Sequence, residues 1–325
     1  MKILVRLPNW LGDMVMSIPF LEQLQKEYPD ASVCMIVKKE LEPLLPYFPT
    51  FSDTIIFSKS DYPGIAGVYR FGKKIRNKNQ FDLFFSLPDS FSSALMGWAS
   101  GSKERVGYSN EARSIFLTKS YKKNTSLHRA LQYLDLLQKF TGKQYSGKDL
   151  KFSNIAESAK TKSVIVNIHS EAISRRLPKE KAISIITQLQ KTMNVPIILI
   201  GGPNDITYTK EVIEALPNSS TIINKAGTTS LDELPQLMSS AGAMLSTDSG
   251  PAHIANAVGL PLVVLFGAGN EKSTAPFNDE KRTVIRLGQL PCEPCVKNTC
   301  QFGLPKCLEQ LDENKISVAI LNYLK

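Results

Sequence analysis

Short runs of β-branched and aromatic residues recur along this chain, each followed by a segment of helical period, and few folds accommodate that alternation. Ile3-Leu4-Val5 leads through Pro8–Asp13 to apolar positions Ile18, Phe20, Leu21 and Leu24, a helix that ends near Pro29. Val33–Val37, Thr54–Phe57 and Leu83–Ser86 read as further strands, with helices over 64–78, 91–99 and 127–140. Strands apolar on both faces and separated by helices form parallel sheets covered on both sides. Residues 141–162 are polar, rich in Lys, Ser and Gly, and lack a period, so they read as a linker. The rhythm then resumes with strands Val164–Ile168, Pro196–Ile200, Thr221–Ile223, Ala243–Leu245 and Leu262–Phe266, and helices over 179–192, 205–215, 231–240 and 251–258. The expected architecture is two doubly wound α/β domains, 1–150 and 151–325, facing a cleft, with the final helix free to pack back on the first domain. Ligands of such sheets sit at the carboxyl ends of the strands, so the loops there carry the candidates.

With 325 residues, 42% of them hydrophobic, the chain can bury two cores. No run reaches the roughly 18 apolar residues of a membrane span, and Met1–Arg6 is too short an apolar run for a secretory signal, so a cytoplasmic location is expected. The net charge of +9 is localised: residues 59–151 hold 17 Lys and Arg against 7 Asp and Glu, and Arg70, Lys73, Lys74, Arg76 and Lys78 are the densest run. Such a basic face suits nucleic acid, an anionic membrane or an acidic substrate, or is a solvated helix face. No helix-turn-helix pattern, zinc-finger histidine spacing or basic-aromatic interleaving accompanies it, which argues against nucleic acid.

Residues 246–253, Ser-Thr-Asp-Ser-Gly-Pro-Ala-His, join a strand to a helix. Gly250 permits close approach to the backbone, Pro251 suits the first helical turn, and the free amides attract an anion, so the junction reads as a phosphate seat flanked by Asp248 and His253. A plain turn capped by Asp248 or Ser249 uses the same residues. Asp13, near a helix start, is placed either as a general base on a hydroxyl or as a helix cap. Arg175 and Arg176, ahead of Pro178, offer bidentate bonds to phosphate if their loop meets the 246–253 junction, and are otherwise exposed arginines. Gly201-Gly202-Pro203-Asn204-Asp205 lacks the dinucleotide fingerprint and no P-loop pattern occurs, so Asn204 and Asp205 serve a ribose or, more simply, a turn. Cys292, Cys295, Cys300 and Cys307 are spaced Cys-x2-Cys-x4-Cys-x6-Cys. In a reducing compartment that cluster suits a structural zinc or iron, with free thiols or an occasional disulfide as the alternative, and four thiolates leave no open position for catalysis.

Leu7–Ser17 (Leu-Pro-Asn-Trp-Leu-Gly-Asp-Met-Val-Met-Ser), Leu87–Leu95, Arg105-Val106-Gly107-Tyr108 and Asp248–His253 resemble, in sequence and order, the motifs of the ADP-heptose:lipopolysaccharide heptosyltransferases. The similarity runs over nearly the whole chain, and the first two motifs look most like the type II enzymes. The resemblance implies a GT-B fold of two Rossmann-like domains, acceptor on the first and ADP-heptose on the second, and inverting transfer that requires no catalytic metal. It assigns the catalytic base to Asp13, and donor binding to Arg175, Thr229, Asp248, Ser249, Gly250 and His253, beside which Asn204 stands as the ribose candidate read from its own loop. Thr229 falls near the adenine-side contact, and Arg175 stands where the family has the lysine of a Lys-Arg-Trp-Pro motif. Asn9, Gly12 and Ser90, with Arg70, Lys73 and Lys74 of the basic run, fall to the acceptor. The implied partners are ADP-heptose, the lipopolysaccharide inner core and an anionic membrane surface, with the protein peripheral on the inner face of the inner membrane. Ile168-His169-Ser170 replaces the family's Pro-Gly-Ala and Arg175 its lysine, which leaves another nucleotide sugar, epimerase chemistry or a protein acceptor as alternatives.

Overall fold

The computed structural model of the protein describes residues 1–146, 149–157 and 159–325; residues 147, 148 and 158 of the expected linker lie outside the described residues. The chain divides into two compact units, Met1–Asp149 and Leu150–Lys325. In the first, strands β1 (Lys2–Arg6), β2 (Ser32–Lys38), β3 (Asp53–Phe57), β4 (Leu83–Ser86), β5 (Glu104–Tyr108) and β6 (Lys119–Tyr121) form a parallel sheet in the order β3-β2-β1-β4-β5-β6. In the second, β7 (Val164–Asn167), β8 (Ile197–Leu199), β9 (Ile222–Asn224), β10 (Ala243–Thr247), β11 (Leu262–Phe266) and β12 (Arg282–Arg286) form another, in the order β12-β11-β10-β7-β8-β9. Both sheets are doubly wound, as the alternation of apolar runs and helices predicts. The central strands β4, β7, β10 and β11 are buried along their whole length, which is why they read as continuous apolar runs. Strand order reverses between β1 and β4, and again between β7 and β10, so the loops after those four strands frame the switch points where such sheets bind ligands.

Three strands escape the sequence reading. β6 and β12 are sheet edges with partly exposed residues and charged ends, and β5, next to an edge, opens on Glu104-Arg105; none presents an uninterrupted apolar run. The helix expected from 231 begins at Leu234, because the Ser230 N–H donates to Glu233 Oε2 (2.9 Å) and residues 231–233 close a turn. Helix Glu313–Leu324 packs on helix Lys179–Thr192 of its own unit. The middle of the expected linker is anchored to this unit too: Leu150 and Phe152 are buried, and their N–H groups donate to Asn278 Oδ1 and to the Ala257 carbonyl, each at 3.1 Å. Among the described residues no helix is long and apolar enough to cross a membrane.

Candidate active site

A buried arginine holds the loop after β1. Arg6, 2% exposed, donates from Nη1 to the Ile36 carbonyl (3.0 Å) and from Nη2 to Asn9 Oδ1, with its guanidinium 5.3 Å over the Phe57 ring. Burial lowers its pKa to about 10, which leaves it charged at neutral pH. Asn9 is therefore a fixed point of the loop, and Gly12 and Asp13 follow it in the first turn of helix Leu11–Met16. The N-cap position is Trp10, so Asp13 is not the cap. Its carboxylate instead lies 4.0 Å from Arg129 Nε. Burial alone would lower the Arg129 pKa, but the charges of Asp13, Tyr133 and Asp89 outweigh it and the net shift is upward. Across the switch point, the loop after β4 brings Asp89 to Lys123 and to Nη1 of buried Arg113 (3.6 Å). The switch point of the first sheet thus gathers two carboxylates, each beside at least one cation.

Arg129 and Arg113 do not stand out in the sequence, and Lys123 does so only as part of the basic region 59–151. Helix Arg129–Thr141 meets helix Leu11–Met16 only through the fold; the one legible signal was the place of Asp89 inside the Leu87–Leu95 motif. Ser90 caps helix Phe91–Ala99, its Oγ accepting from the Ser93 N–H (3.3 Å). Arg70, Lys73 and Lys74 are not brought to Asp13. Helix Gly64–Lys78 starts at the carboxyl end of β3 and runs back toward the amino ends, where its basic half meets Gly101, Ser102 and Arg105.

In the second unit, the loops after β7 and β10 are sewn together. Asn167 Nδ2 donates to Ser249 Oγ (2.8 Å), Ser170 Oγ to the Asp248 carbonyl (3.2 Å) and Thr247 Oγ1 to the His169 carbonyl (2.5 Å). Helix Gly250–Ala257 begins at this seam with Ser249 extended at the N-cap and no side chain capping it, so no side chain competes for its first amides. The Asp248 carboxylate turns to Arg175, with Oδ2 3.2 Å from Nη1. Asp248 is 4% exposed, and burial pushes its pKa up to about 6 against the pull of Arg175 and Arg286. Gly269 passes so close that a Cβ there would fall 1.9 Å from Asp248 Oδ2. Arg175, Asp248, Ser249 and Gly250 form one cluster, and His253 is buried in the first turn of the same helix.

Arg176 points elsewhere: Nη2 donates to Asp205 Oδ1 (3.0 Å), and the guanidinium covers the Tyr208 ring. His169, buried, pairs through Nε2 with Thr209 Oγ1 (2.8 Å) and lies 3.4 Å through Nδ1 from Asp205; burial lowers its pKa to about 4, so it is neutral. Asn204 sits exposed in the tight turn Pro203–Asp205, which the Gly202 N–H closes onto Asp205 Oδ2 (2.9 Å). Thr229 Oγ1 donates to the Lys225 carbonyl (3.4 Å). These two follow β8 and β9, one and two strands away from β7.

The cysteines are free thiols, Cys307 buried and Cys292, Cys295 and Cys300 partly so. Burial raises the Cys307 pKa to about 11, and Glu293 and the other three cysteines push it the same way. Among the described residues, no three His, Cys, Asp or Glu side chains are grouped to hold a metal ion. The backbone of this segment grips the loops around Asp248. The Ser174 N–H donates to the Asn298 carbonyl (3.0 Å), Ser174 Oγ to that of Lys297 (2.5 Å), and the Val296 N–H to that of Ala268 (2.8 Å).

Residues 68–305 match the family model for glycosyltransferase family 9 (heptosyltransferase). The chain belongs to glycosyltransferase family 9. Lipooligosaccharide heptosyltransferase 2 of Haemophilus influenzae is 26% identical to it over 316 residues, covering 88% of this chain and 89% of the relative. Lipopolysaccharide heptosyltransferase 2 of Escherichia coli is 28% identical over 312 residues, covering 88% of each. The solved structure of Escherichia coli ADP-heptose lps heptosyltransferase II superposes with a TM-score of 0.83 at 24% identity, over 100% of this chain and 98% of that one. This family 9 glycosyltransferase therefore has the GT-B fold.

Proposed function

We propose that this family 9 glycosyltransferase is an inverting heptosyltransferase that moves heptose from ADP-L-glycero-D-manno-heptose to the lipopolysaccharide inner core. The observation that carries the reading is the uncapped start of helix Gly250–Ala257 with Arg175 paired to Asp248 beside it. A diphosphate on the helix amides draws Arg175 onto its oxygens, and the released Asp248 carboxylate accepts hydroxyls of the sugar. Residues 1–150 hold the acceptor and 151–325 the donor. Asp13 takes the proton of an acceptor hydroxyl as that oxygen bonds the anomeric carbon from the face opposite the diphosphate; the anomeric C–O bond breaks and its electron pair leaves on ADP. The Arg129 guanidinium, with Nε 4.0 Å from the Asp13 carboxylate, lies beside the base. Arg175 and the helix dipole meet the charge that grows on the leaving group, the task a divalent cation performs elsewhere.

The names of the relatives support heptose as the sugar and lipopolysaccharide as the acceptor. With a lipid-borne acceptor, the enzyme works in the cytoplasm, peripheral to the inner face of the inner membrane. Asp13→Asn is expected to slow transfer by roughly 10²–10⁴-fold while ADP affinity stays unchanged; an active variant overturns the base assignment. A panel of nucleotide sugars, read by thermal protection and by turnover, tests the donor. A structural zinc or iron on Cys292, Cys295, Cys300 and Cys307 belongs to the same proposal, and elemental analysis of protein purified without chelator tests it.

A further inference from the structure

The basic run of helix Gly64–Lys78 enters neither switch-point cluster, and the fold gives it aromatic neighbours that the linear sequence does not. At Gly72 this helix and helix Phe91–Ala99 touch, for a Cβ there would fall 2.5 Å from that of Ala99. The contact sets Tyr69 beside Trp98, with ring centroids 6.0 Å apart; Phe116 follows at 5.6 Å from Trp98, and Phe91 at 5.2 Å from Phe116. Tyr69, Phe91 and Trp98 are each more than a third exposed, and Ile65 and Ile115 are 62% and 74% exposed. Ile65 lies one helical turn before Tyr69 and Ile115 precedes Phe116, and exposed apolar side chains grouped in this way mark an interaction site. Next to it, a recess of about 230 Å³ is lined by Lys73, Arg76 and Arg105 together with Tyr69, Trp98 and Ser102. Arg105 is preset there, its Nε on the Phe116 carbonyl and Nη1 on that of Ser102, both at 2.7 Å. Arg70, Lys74 and Lys78 line the adjoining groove, and among the described residues no acidic one lines either hollow.

We infer that this face docks on an anionic phospholipid bilayer, with the recess taking one lipid phosphate. Trp and Tyr favour the headgroup layer, the two isoleucines enter the acyl boundary, and the cations meet the phosphates. A single-stranded nucleic acid would stack on the rings but gain nothing from exposed isoleucines. The inference rests on the proposed function only for its purpose, which is to hold the enzyme beside a lipid-borne acceptor.

The test is flotation of the full chain with vesicles of phosphatidylcholine, alone or mixed with phosphatidylglycerol. Binding is expected to the mixed vesicles only, to weaken with salt, and to fall at least roughly tenfold in the double variant Lys73→Glu, Arg76→Glu. The pair Trp98→Ser, Ile115→Ser is expected to lose vesicle binding while transferring normally to a delipidated acceptor. The chain has 2 tryptophans, so in Trp10→Phe protein the emission of Trp98 reports the contact by a blue shift on mixed vesicles. Circular dichroism checks that each variant folds, and Lys73→Gln with Arg76→Gln gives an intermediate loss if the reversals do not. Equal binding to neutral vesicles, or no loss on charge reversal, overturns the inference. So does a response to inorganic phosphate without vesicle binding, or a single-stranded RNA gel shift that replaces it. Vesicle binding by an enzyme that transfers no heptose would instead refute the proposed function and leave the docking surface standing.

Discussion

Asp248 and His169 are buried in one seam, and their titrations oppose each other. Burial raises Asp248 from 3.8 to about 6, so its contribution to stability is complete below pH 3.8 and lost as pH rises through about 6. Burial lowers His169 from 6.5 to about 4, so its contribution is complete above pH 6.5 and lost as pH falls through about 4. Each shift is worth about 3 kcal/mol at most, and between pH 6.5 and 4 the two slopes partly cancel. Asp248→Asn leaves only the histidine slope, so its melting temperature is expected to drop more steeply on acidification than that of the wild type. His169→Gln leaves only the aspartate slope and is expected to drop less, or to rise. Parallel melting curves for the three proteins would contradict both assignments. The neighbouring Gly269 invites a second substitution. With Ala, its Cβ would fall 1.9 Å from Asp248 Oδ2, so the loop or the carboxylate must move. Gly269→Ala is expected to raise the donor KM roughly tenfold, the cost of one misplaced contact, and steady-state kinetics read it directly.

At the scale of elements, the four-cysteine segment acts on the loop that carries Arg175 through backbone bonds. Ser174 hangs from Asn298 and Lys297, and Val296 fixes Ala268 just ahead of Gly269. Cys292→Ser with Cys295→Ser is expected to raise the donor KM several-fold while kcat at saturating donor holds, because Asp13 and Arg129 belong to the other unit. A fall in kcat with unchanged KM would refute that coupling. None of this coupling is visible in the linear spacing of the cysteines, which suggests only a metal. The same division explains what else could be read in advance. β1, β7, β10 and β11 are apolar runs because both faces are covered, and the 246–253 junction is legible because Gly250 and Pro251 obey local backbone rules. Edge strands β6 and β12 lack that covering. Arg129 reaches Asp13, and Trp98 reaches Tyr69, only when helices distant in sequence pack together, so neither contact leaves a local mark. Ser90 stands in the Leu87–Leu95 motif, and its hydroxyl caps the helix that the motif opens.

At the scale of the molecule, each unit has its own sheet and its own apolar core, with Leu4, Ile36, Phe84 and Leu95 buried in the first and Val166, Leu199, Leu245 and Leu265 in the second. The proposed donor contacts all belong to residues 150–325. A ligand that binds only folded protein stabilises it by about 2.7 kcal/mol at a hundred times its Kd. If ADP touches the second unit alone, that energy is confined there. Amides of β7, β10 and β11 that exchange by opening of the whole unit are then expected to slow by about a hundredfold, while those of β1, β2 and β4 keep their rates. In calorimetry, the transition of the second unit should rise by roughly 5–10 °C. Hydrogen exchange followed by mass spectrometry separates the outcomes. Protection limited to the second sheet supports a donor seat at Arg175 and Asp248, whereas equal protection of both sheets counts against assigning the donor to residues 151–325. Protection of the first sheet alone would move the nucleotide to the Asp13 side and reverse the roles of the two units.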